Sequence, residues 1–249
     1  MGWLERGVVL KVRLSKISGI DDAIVSLMMS NKKYTSESET KIRDLCNRVL
    51  DYNGAIKTDV SADDLEEYNK YLNRIVSIGW QHITVLRFID FTFVVEGLHR
   101  AGQDDWDSHA KRFDNRIIRM STRGRKLDAE FSTYYSDKVL SDDEAVDVLG
   151  IALPENLLID DKVFVKVQNG YVLEEYKDNS DVLRGLYHLG IPSTFIFKVN
   201  LTEFAHVYKE RNINGGAHPE VKELAEKAAD LIQLFQPMFT RELLLKIKN

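Results

Sequence analysis

The sequence predicts an α+β protein in which helices pack on a mixed, largely antiparallel sheet. Short runs rich in β-branched and aromatic residues predict strands, and apolar residues at helical spacing predict amphipathic helices. The two kinds of segment do not alternate as a regular βαβ repeat, which favours antiparallel pairing. Because the chain has only four prolines and no low-complexity stretch, we expect one domain over residues 1–249.

The first half of the chain predicts a strand, three amphipathic helices and a strand–helix–strand segment. Two pairs of residues have the spacing of a capping box, Ser36 with Glu39 and Ser61 with Asp64, and Asp21 or Asp22 is expected near the N-cap of the first helix. The predicted elements are a strand at 8–14, helices at 21–29, from 36 and from 61 to about 79, a strand at 83–95, a helix at about 98–112 and a strand at 115–122.

The second half predicts a hairpin, a helix, a strand and two further helices. The hairpin spans 162–173 and turns at Asn169-Gly170, a pair that suits a two-residue turn. A helix at 181–189 and a strand at 193–199 follow. Asn200 is at capping distance from Glu203, and Pro219 suits the first turn of the last helix.

Composition limits the classes of function. The net charge of -5 disfavours a general nucleic-acid binder. The single cysteine, Cys46, excludes an intrachain disulfide, and its place on the apolar stripe of a helix favours a buried side chain over a catalytic thiol. The six histidines are scattered without zinc-ligand spacing, so no metal site is expected. No apolar run approaches the ~20 residues that span a bilayer, and no signal-peptide core is seen, so we expect a cytoplasmic protein without a membrane partner.

A basic segment stands out in this acidic chain. Alternate residues of a strand share a face, so Arg119, Ser121 and Arg123 are expected to project together. Two guanidiniums beside a hydroxyl suit a phosphate or an electron-rich ring, because arginine makes planar two-pronged contacts with oxygen atoms. A solvated strand face is the alternative. The surrounding basic surplus fits a mononucleotide or a nucleic-acid strand.

The segment from Asn200 to Arg211 is a second candidate. Each of its polar residues also has a local structural explanation: Asn200 as a helix cap, His206 as a surface or structural residue, and Arg211 as a partner of a helix dipole.

The order and spacing of several motifs resemble those of the flavin-dependent thymidylate synthases. The family pattern of Gly-His-x-Ser-x-x-Glu-His, Phe-Thr-Phe and Ser-Arg-Ala resembles residues 81–101, where His82, Thr84, Phe91-Thr92-Phe93 and Arg100-Ala101 correspond. Further family motifs resemble Ser121-Thr122-Arg123, Arg184, Asn200, Arg211 and the segment 217–222. The resemblance covers most of residues 61–240 and implies the fold of that family.

The resemblance implies an FAD-dependent methyltransferase of nucleotide biosynthesis. In such enzymes the flavin carries reducing equivalents from NADPH, methylenetetrahydrofolate supplies a one-carbon unit to C5 of dUMP, and the sites form between subunits of a homotetramer. The implied substrate-binding residues are Arg119, Ser121, Arg123, Arg184 and Arg211, with Ser121 and Arg211 also implied to be catalytic. The implied cofactor-binding residues are His82, Thr84, His109, Lys111, Arg112, Asn200 and His206.

The segment that should hold the flavin departs most from the family pattern. The family's Arg-His-Arg falls on Ser108-His109-Ala110 or on Lys111-Arg112-Phe113, depending on the alignment, and its Glu-His becomes Arg87-Phe88. Two other interpretations therefore stay open. The chain is a non-catalytic or repurposed descendant that binds a nucleotide or a protein, or hydroxymethylates the base; or it binds nucleic acid through the basic strand.

Overall fold

The computed structural model describes residues 8–79, 83–108, 116–120, 146, 150, 152–167, 170–178, 191–214 and 217–247. The chain divides into two compact units, each assembled from separate stretches. The first takes its described residues from 1–11, 96–104 and 119–194, and the second takes them from 12–95, 105–118 and 195–249. Since neither unit is a continuous piece of sequence, the single domain over 1–249 stays a prediction.

A four-stranded sheet organises the described part of the fold, with the strands in the order β1-β2-β7-β3. The strand bounds are β1 (Lys11–Ser18), β2 (Asp90–His99), β3 (Arg116–Arg119) and β7 (Pro192–Asn200). In β2, the alternate residues Phe91, Phe93 and Val95 are fully buried, as the two-residue period of a strand requires when one face covers a core.

Eight α-helices are found among the described residues. They are α1 (Ile20–Ser30), α2 (Ser36–Val49), α3 (Ala62–Gly79), α4 (Ile83–Leu86), α5 (Arg100–Asp107), α6 (Leu201–Asn212), α7 (Pro219–Phe235) and α8 (Arg241–Lys246). None of these helices combines the length and the apolar character needed to cross a membrane. Strands and helices are thus mixed, and the predicted α+β class is confirmed.

The first unit contains a small antiparallel sheet of three strands, β4 (Asn156–Ile159), β5 (Lys162–Val167) and β6 (Gly170–Leu173). Val165 lies opposite Val172 in the β5–β6 pair, which confirms the predicted hairpin; residues 168–169 at its turn lie outside the described residues. Strand β4 was not predicted. It pairs with β5 so that Leu158 lies opposite Val163, and Leu158 is 72% exposed.

Aromatic side chains of β2, β7 and α6 form the centre of the core. The Phe93 ring stacks on Phe197 with centroids 4.9 Å apart, and Phe204 of α6 packs against Phe91 and Phe93 at 6.0 Å from each. Trp106 lies 5.3 Å from Phe197 and is 2% exposed. Each such pair contributes about 0.5–1.5 kcal/mol beyond its buried area, so this cluster fixes α6 on the sheet.

The predicted starts of the first two helices are wrong in detail. Neither Asp21 nor Asp22 caps α1, which begins after Gly19. In α2 the capping box is formed by Thr35 and Ser38, one residue earlier than predicted: Ser38 N donates to Thr35 Oγ1 at 3.0 Å and Thr35 N donates to Ser38 Oγ at 2.9 Å. The predicted cap of α3 is confirmed, because Asp64 N donates to Ser61 Oγ at 3.1 Å.

Gly19 stands at the N-cap of α1 because no other residue fits there. Its φ is +79°, and a Cβ atom would lie 1.9 Å from the carbonyl oxygen of Phe88. A side chain at this position would therefore meet backbone that cannot rotate away. The close approach fixes the start of α1 against the segment that enters β2.

Several predicted boundaries are shifted. The strand predicted at 83–95 begins with the one-turn helix α4, so the strand itself starts at Asp90 and continues to His99. The helix predicted from 98 is α5 and begins at Arg100, the strand predicted at 8–14 is β1, and the strand predicted at 115–122 is the shorter β3. The strand predicted at 193–199 is β7, and the helix predicted from Pro219 is α7. Helix α8 was not predicted, and the predicted helix at 181–189 lies outside the described residues.

A buried hydrogen-bond chain ties α3 to the end of α7 within the second unit. The Tyr68 hydroxyl donates to Gln236 Oε1 at 2.8 Å, and Gln236 Nε2 donates to the Gly54 carbonyl at 2.7 Å. Both side chains are 0% exposed. Burial raises the pKa of Tyr68 well above its usual range, so its hydroxyl stays a donor. One amide side chain therefore satisfies two groups that water cannot reach.

The substitution Gln236→Ala is expected to lower the free energy of unfolding by about 2–5 kcal/mol, because it leaves two buried polar groups without partners at about 1–3 kcal/mol each. The measurement is urea unfolding. Gln233→Ala, which truncates an exposed glutamine of the same helix, is the control and should change the free energy by less than about 0.5 kcal/mol. Equal effects of the two substitutions would contradict the role given to the buried chain.

Cys46 is a core residue of α2. It is 5% exposed, and burial, with a smaller contribution from the charge of Asp21, raises the pKa of its thiol to about 12. The thiolate is the reactive form. A catalytic role for Cys46 is therefore disfavoured, as its place on the apolar stripe predicted.

The native protein is expected to react with a thiol-specific disulfide reagent much more slowly than the unfolded chain. About four pH units below the thiol pKa, roughly one thiol in ten thousand is ionised. Cys46 is the only cysteine, so the released chromophore reports this residue alone. Reaction of the folded protein at the rate seen in denaturant would overturn the assignment.

Candidate functional site

Arg211 lies in the last turn of α6 and is held at the C-terminal end of α5 in the second unit. Its Nη1 is 2.9 Å from Asp105 Oδ1, and its Nη2 donates to the Asp105 carbonyl oxygen and, at 3.2 Å, to Ser108 Oγ. The last carbonyls of a helix lack partners within the helix, so a cation at this end is stabilising. The dipole that Arg211 complements is therefore that of α5 rather than that of its own helix.

One nitrogen of Arg211 is left over in this arrangement. Its side chain is only 13% exposed, and the buried Nε–H has no hydrogen-bond acceptor among the described residues. A buried donor without an acceptor costs about 1–3 kcal/mol. A structural clamp explains the two Nη contacts but leaves this donor unexplained. An acceptor oxygen supplied by a ligand would satisfy it.

Asp105 also connects to α7. Its Oδ1 accepts from Arg211, while its Oδ2 accepts from the backbone N–H of His218 at 3.5 Å. His218 is the N-cap of α7, so this carboxylate lies at the positive end of a helix dipole. One aspartate thus orients a guanidinium and a helix start together.

Arg119 is the last residue of β3, and its guanidinium is sheltered rather than solvated. Nη1 donates to Asp104 Oδ1 at 2.8 Å and Nη2 donates to the Gln103 carbonyl at 3.1 Å, all within the first unit. The Arg119 side chain is 20% exposed, whereas its neighbours Ile118 and Met120 are 73% and 55% exposed. The predicted alternation is observed, but the arginine takes the covered side and the apolar residues take the solvent side.

Asn200 caps α6, as its spacing predicted. It is 1% exposed, and its Oδ1 accepts from Glu203 N at 3.0 Å and from Thr202 Oγ1 at 2.6 Å. The next residue, Leu201, donates its N–H to the Ile89 carbonyl at 2.8 Å. The junction between β7 and α6 is therefore fixed from both sides, and the amide oxygen of Asn200 is committed to the helix.

The described residues implied to hold a flavin do not form a cradle by themselves. Thr84 on α4 is exposed, Asn200 is buried, and His206 lies on the half-buried stripe of α6 that also carries Glu203 and Glu210. A flavin ring requires donors that converge on one surface. These three residues do not provide it. Of the other implied residues, Ser121, Arg123 and Arg184 for the nucleotide and His82, His109, Lys111 and Arg112 for the flavin lie outside the described residues.

Sequence reasoning missed the two carboxylates that orient the arginines. Asp104 and Asp105 are consecutive residues of α5, one in each unit, and each pairs with one implied substrate-binding arginine. The available signal was a pair of acids on a helix next to a basic strand. Such a pair is usual on a solvated helix face, so the pattern alone could not identify it.

Comparison with known proteins identifies the fold. Two solved structures are similar. One is thymidylate synthase X from Helicobacter pylori with FAD and dUMP, which is 14% identical, with a TM-score of 0.50 over 92% of this chain and 99% of that one. The other is the UMP/dUMP methylase PolB from Streptomyces cacaoi bound with 5-Br dUMP, also 14% identical, with a TM-score of 0.53 over 94% of this chain and 93% of that one. At this identity, the likeness shows the fold alone.

The sequence supplies the family. No curated protein matches it. A family model described as thymidylate synthase complementing protein, Thy1, matches residues 28–238, which is most of the chain. The match includes the aromatic core and the segments that carry Arg119 and Arg211. The chain therefore belongs to the Thy1 family of thymidylate synthase complementing proteins.

Proposed function

We propose that the chain is a flavin-dependent enzyme that transfers a one-carbon unit from methylenetetrahydrofolate to C5 of dUMP. The proposal includes FAD as the bound cofactor, NADPH as the source of reducing equivalents, and a cytoplasmic homotetramer with sites between subunits. The observation that carries it is the Thy1 match over residues 28–238. The two similar structures support it, because both were solved with dUMP or a brominated dUMP.

Within this proposal Arg211 binds the nucleotide. Its Nη1 and Nη2 are held by Asp105 and Ser108, so the plane of the guanidinium is set before a ligand arrives. A pre-oriented donor loses less rotamer entropy on binding than a mobile one. The buried Nε–H is the donor that remains for an oxygen of the phosphate or of the pyrimidine.

Arg119 has a supporting part. Its contacts with Asp104 and the Gln103 carbonyl fix the end of β3, immediately before Ser121 and Arg123 in the chain. The proposal assigns to Ser121, Arg123 and Arg184 the remaining contacts with the nucleotide. It assigns the flavin to His82, His109, Lys111 and Arg112, because the described Thr84, Asn200 and His206 do not form a cradle alone. A bound flavin would supply the hydride chemistry.

One observation favours a second candidate function. The flavin segment departs from the family pattern, and the Asn200 amide oxygen is already used as a helix cap. A descendant that binds the pyrimidine nucleotide without flavin, or that makes a hydroxymethylated product, would keep Arg211 and lose the flavin contacts. The two candidates differ in whether the protein holds FAD.

The purified protein is expected to show the two visible absorption bands of an oxidised flavin, either directly or after addition of FAD and gel filtration. Reduction with NADPH in the presence of methylenetetrahydrofolate and dUMP should then yield thymidylate. Calorimetric titration with dUMP is run in parallel without flavin. A colourless protein that binds dUMP would replace the enzyme by the nucleotide-binding descendant, and a colourless protein without affinity for dUMP would contradict both.

Replacing Arg211 by lysine is expected to raise the dissociation constant for dUMP about 10–100-fold, because an ammonium keeps the charge but lacks the planar fork and the Nε–H donor. The measurement is calorimetric titration. Arg241→Lys is the matched control, since Arg241 also pairs with carboxylates, Glu226 at 2.9 Å and Asp230 at 2.5 Å, but belongs to no implied site. Equal dissociation constants for the two variants would remove Arg211 from the site.

A further inference from the structure

An open cleft of about 530 Å³ lies between α1 and α3 in the second unit. None of its lining residues belongs to the set implied for the nucleotide or the flavin. Its walls are largely apolar, and its volume is in the range of small-molecule sites, about 300–1,000 Å³. The side chains that matter for binding are Ile24, Leu27, Met28, Lys33, Tyr71 and Arg74.

Both charged residues of this cleft are cations. Among the described residues, neither Lys33 nor Arg74 has an ion pair or a side-chain hydrogen bond, and both are exposed. Other cations of the neighbouring surface are paired: Lys70 lies 2.7 Å from Glu66, and Arg43 lies 2.5 Å from Asp21. Two cations without carboxylate partners, beside an apolar wall on a chain of net charge -5, are complementary to an anion.

The backbone holds Lys33 in place at the rim. Helix α1 ends in a turn in which Lys32 N donates to the Met29 carbonyl at 3.1 Å and Lys33 N donates to the Met28 carbonyl at 2.9 Å. This turn needs a left-handed residue, usually glycine, and here Lys32 takes that conformation with φ of 56°. Lys33 therefore starts from a fixed position, although its side chain is long.

We propose that this cleft binds a small organic anion that carries a ring-sized apolar body. The body would lie on Ile24, Leu27, Met28 and the Tyr71 ring, and the carboxylate, sulfonate or phosphate would contact Lys33 and Arg74. Arg74 suits such a group because its guanidinium matches two oxygens of one anion. A protein partner is disfavoured, because a stable protein interface buries about 800 Å² on each side, and this cleft is smaller than that.

The probe is anilinonaphthalene sulfonate, which joins an apolar aromatic body to one sulfonate and fluoresces when its surroundings are apolar. The folded protein is expected to bind it at one saturable site. Replacing both Lys33 and Arg74 by glutamine should raise the dissociation constant about tenfold, while N-phenylnaphthylamine, the neutral analogue, should change less than twofold. Lys70→Gln is the matched control on α3 and should leave the binding of both probes unchanged.

A second pair of variants tests the apolar wall independently. Met28→Glu places a carboxylate in the cleft and should weaken binding of the sulfonate more than tenfold, whereas Met29→Glu adds the same charge at a 52% exposed neighbour outside the cleft and should have little effect. Near-ultraviolet circular dichroism is compared for all variants, because partly unfolded protein also binds this probe.

Competition separates this site from the proposed function. Neither FAD nor dUMP is expected to displace the probe, so the outcome is independent of whether the protein binds them. Displacement by FAD would assign the cleft to the flavin and overturn the proposal. Equal dissociation constants for the parent and the Lys33 and Arg74 double variant would also overturn it, and so would binding that never saturates.

Discussion

The guanidinium of Arg211, held between the Asp105 carboxylate and the end of α5, is the contact on which the arrangement of the second unit's polar residues depends. Helix α6 is pinned at its start by the Asn200 cap, in its middle by Phe204 in the aromatic core, and at its end by Arg211. A helix of this length spans roughly 18 Å. It therefore sets a fixed distance between the end of β7 and the end of α5. Asp105 extends the constraint to α7 through the His218 backbone.

Much of this framework could be predicted from local patterns. The Asn200–Glu203 cap, Pro219 at the start of α7 and the hairpin over 162–173 are signals contained within a few residues, and all three are confirmed. Other elements depend on distant contacts. Ile83 and Val85 are β-branched and suggest a strand, yet tertiary context makes them one turn of helix. Strand β4 is largely exposed and exists through its pairing with β5, so it leaves no hydrophobic alternation to detect.

The candidate site divides in the same way. The sequence indicated Arg119 and Arg211 because arginines beside a hydroxyl or at a helix end form visible patterns. It could not indicate their partners, because Asp104 is fifteen positions from Arg119 and Asp105 is more than a hundred positions from Arg211. Pairing with these carboxylates also changes what the arginines are for. A guanidinium that cancels the charge of an aspartate adds little net attraction for an anion, but its remaining donors are aimed in a fixed direction.

This pairing bears on how family membership should be interpreted at 14% identity to the similar structures. Asn200 and Arg211 match the family, yet each also has a structural task, the cap of α6 and the clamp on α5. A chain that had lost its chemistry would still keep both residues for stability, so their presence alone does not distinguish an enzyme from a descendant. The buried Nε–H of Arg211 does distinguish the two interpretations of that residue, because the clamp uses only the Nη atoms. A purely structural arginine would be replaced by lysine at little cost to ligand binding, whereas a ligand-binding arginine would not.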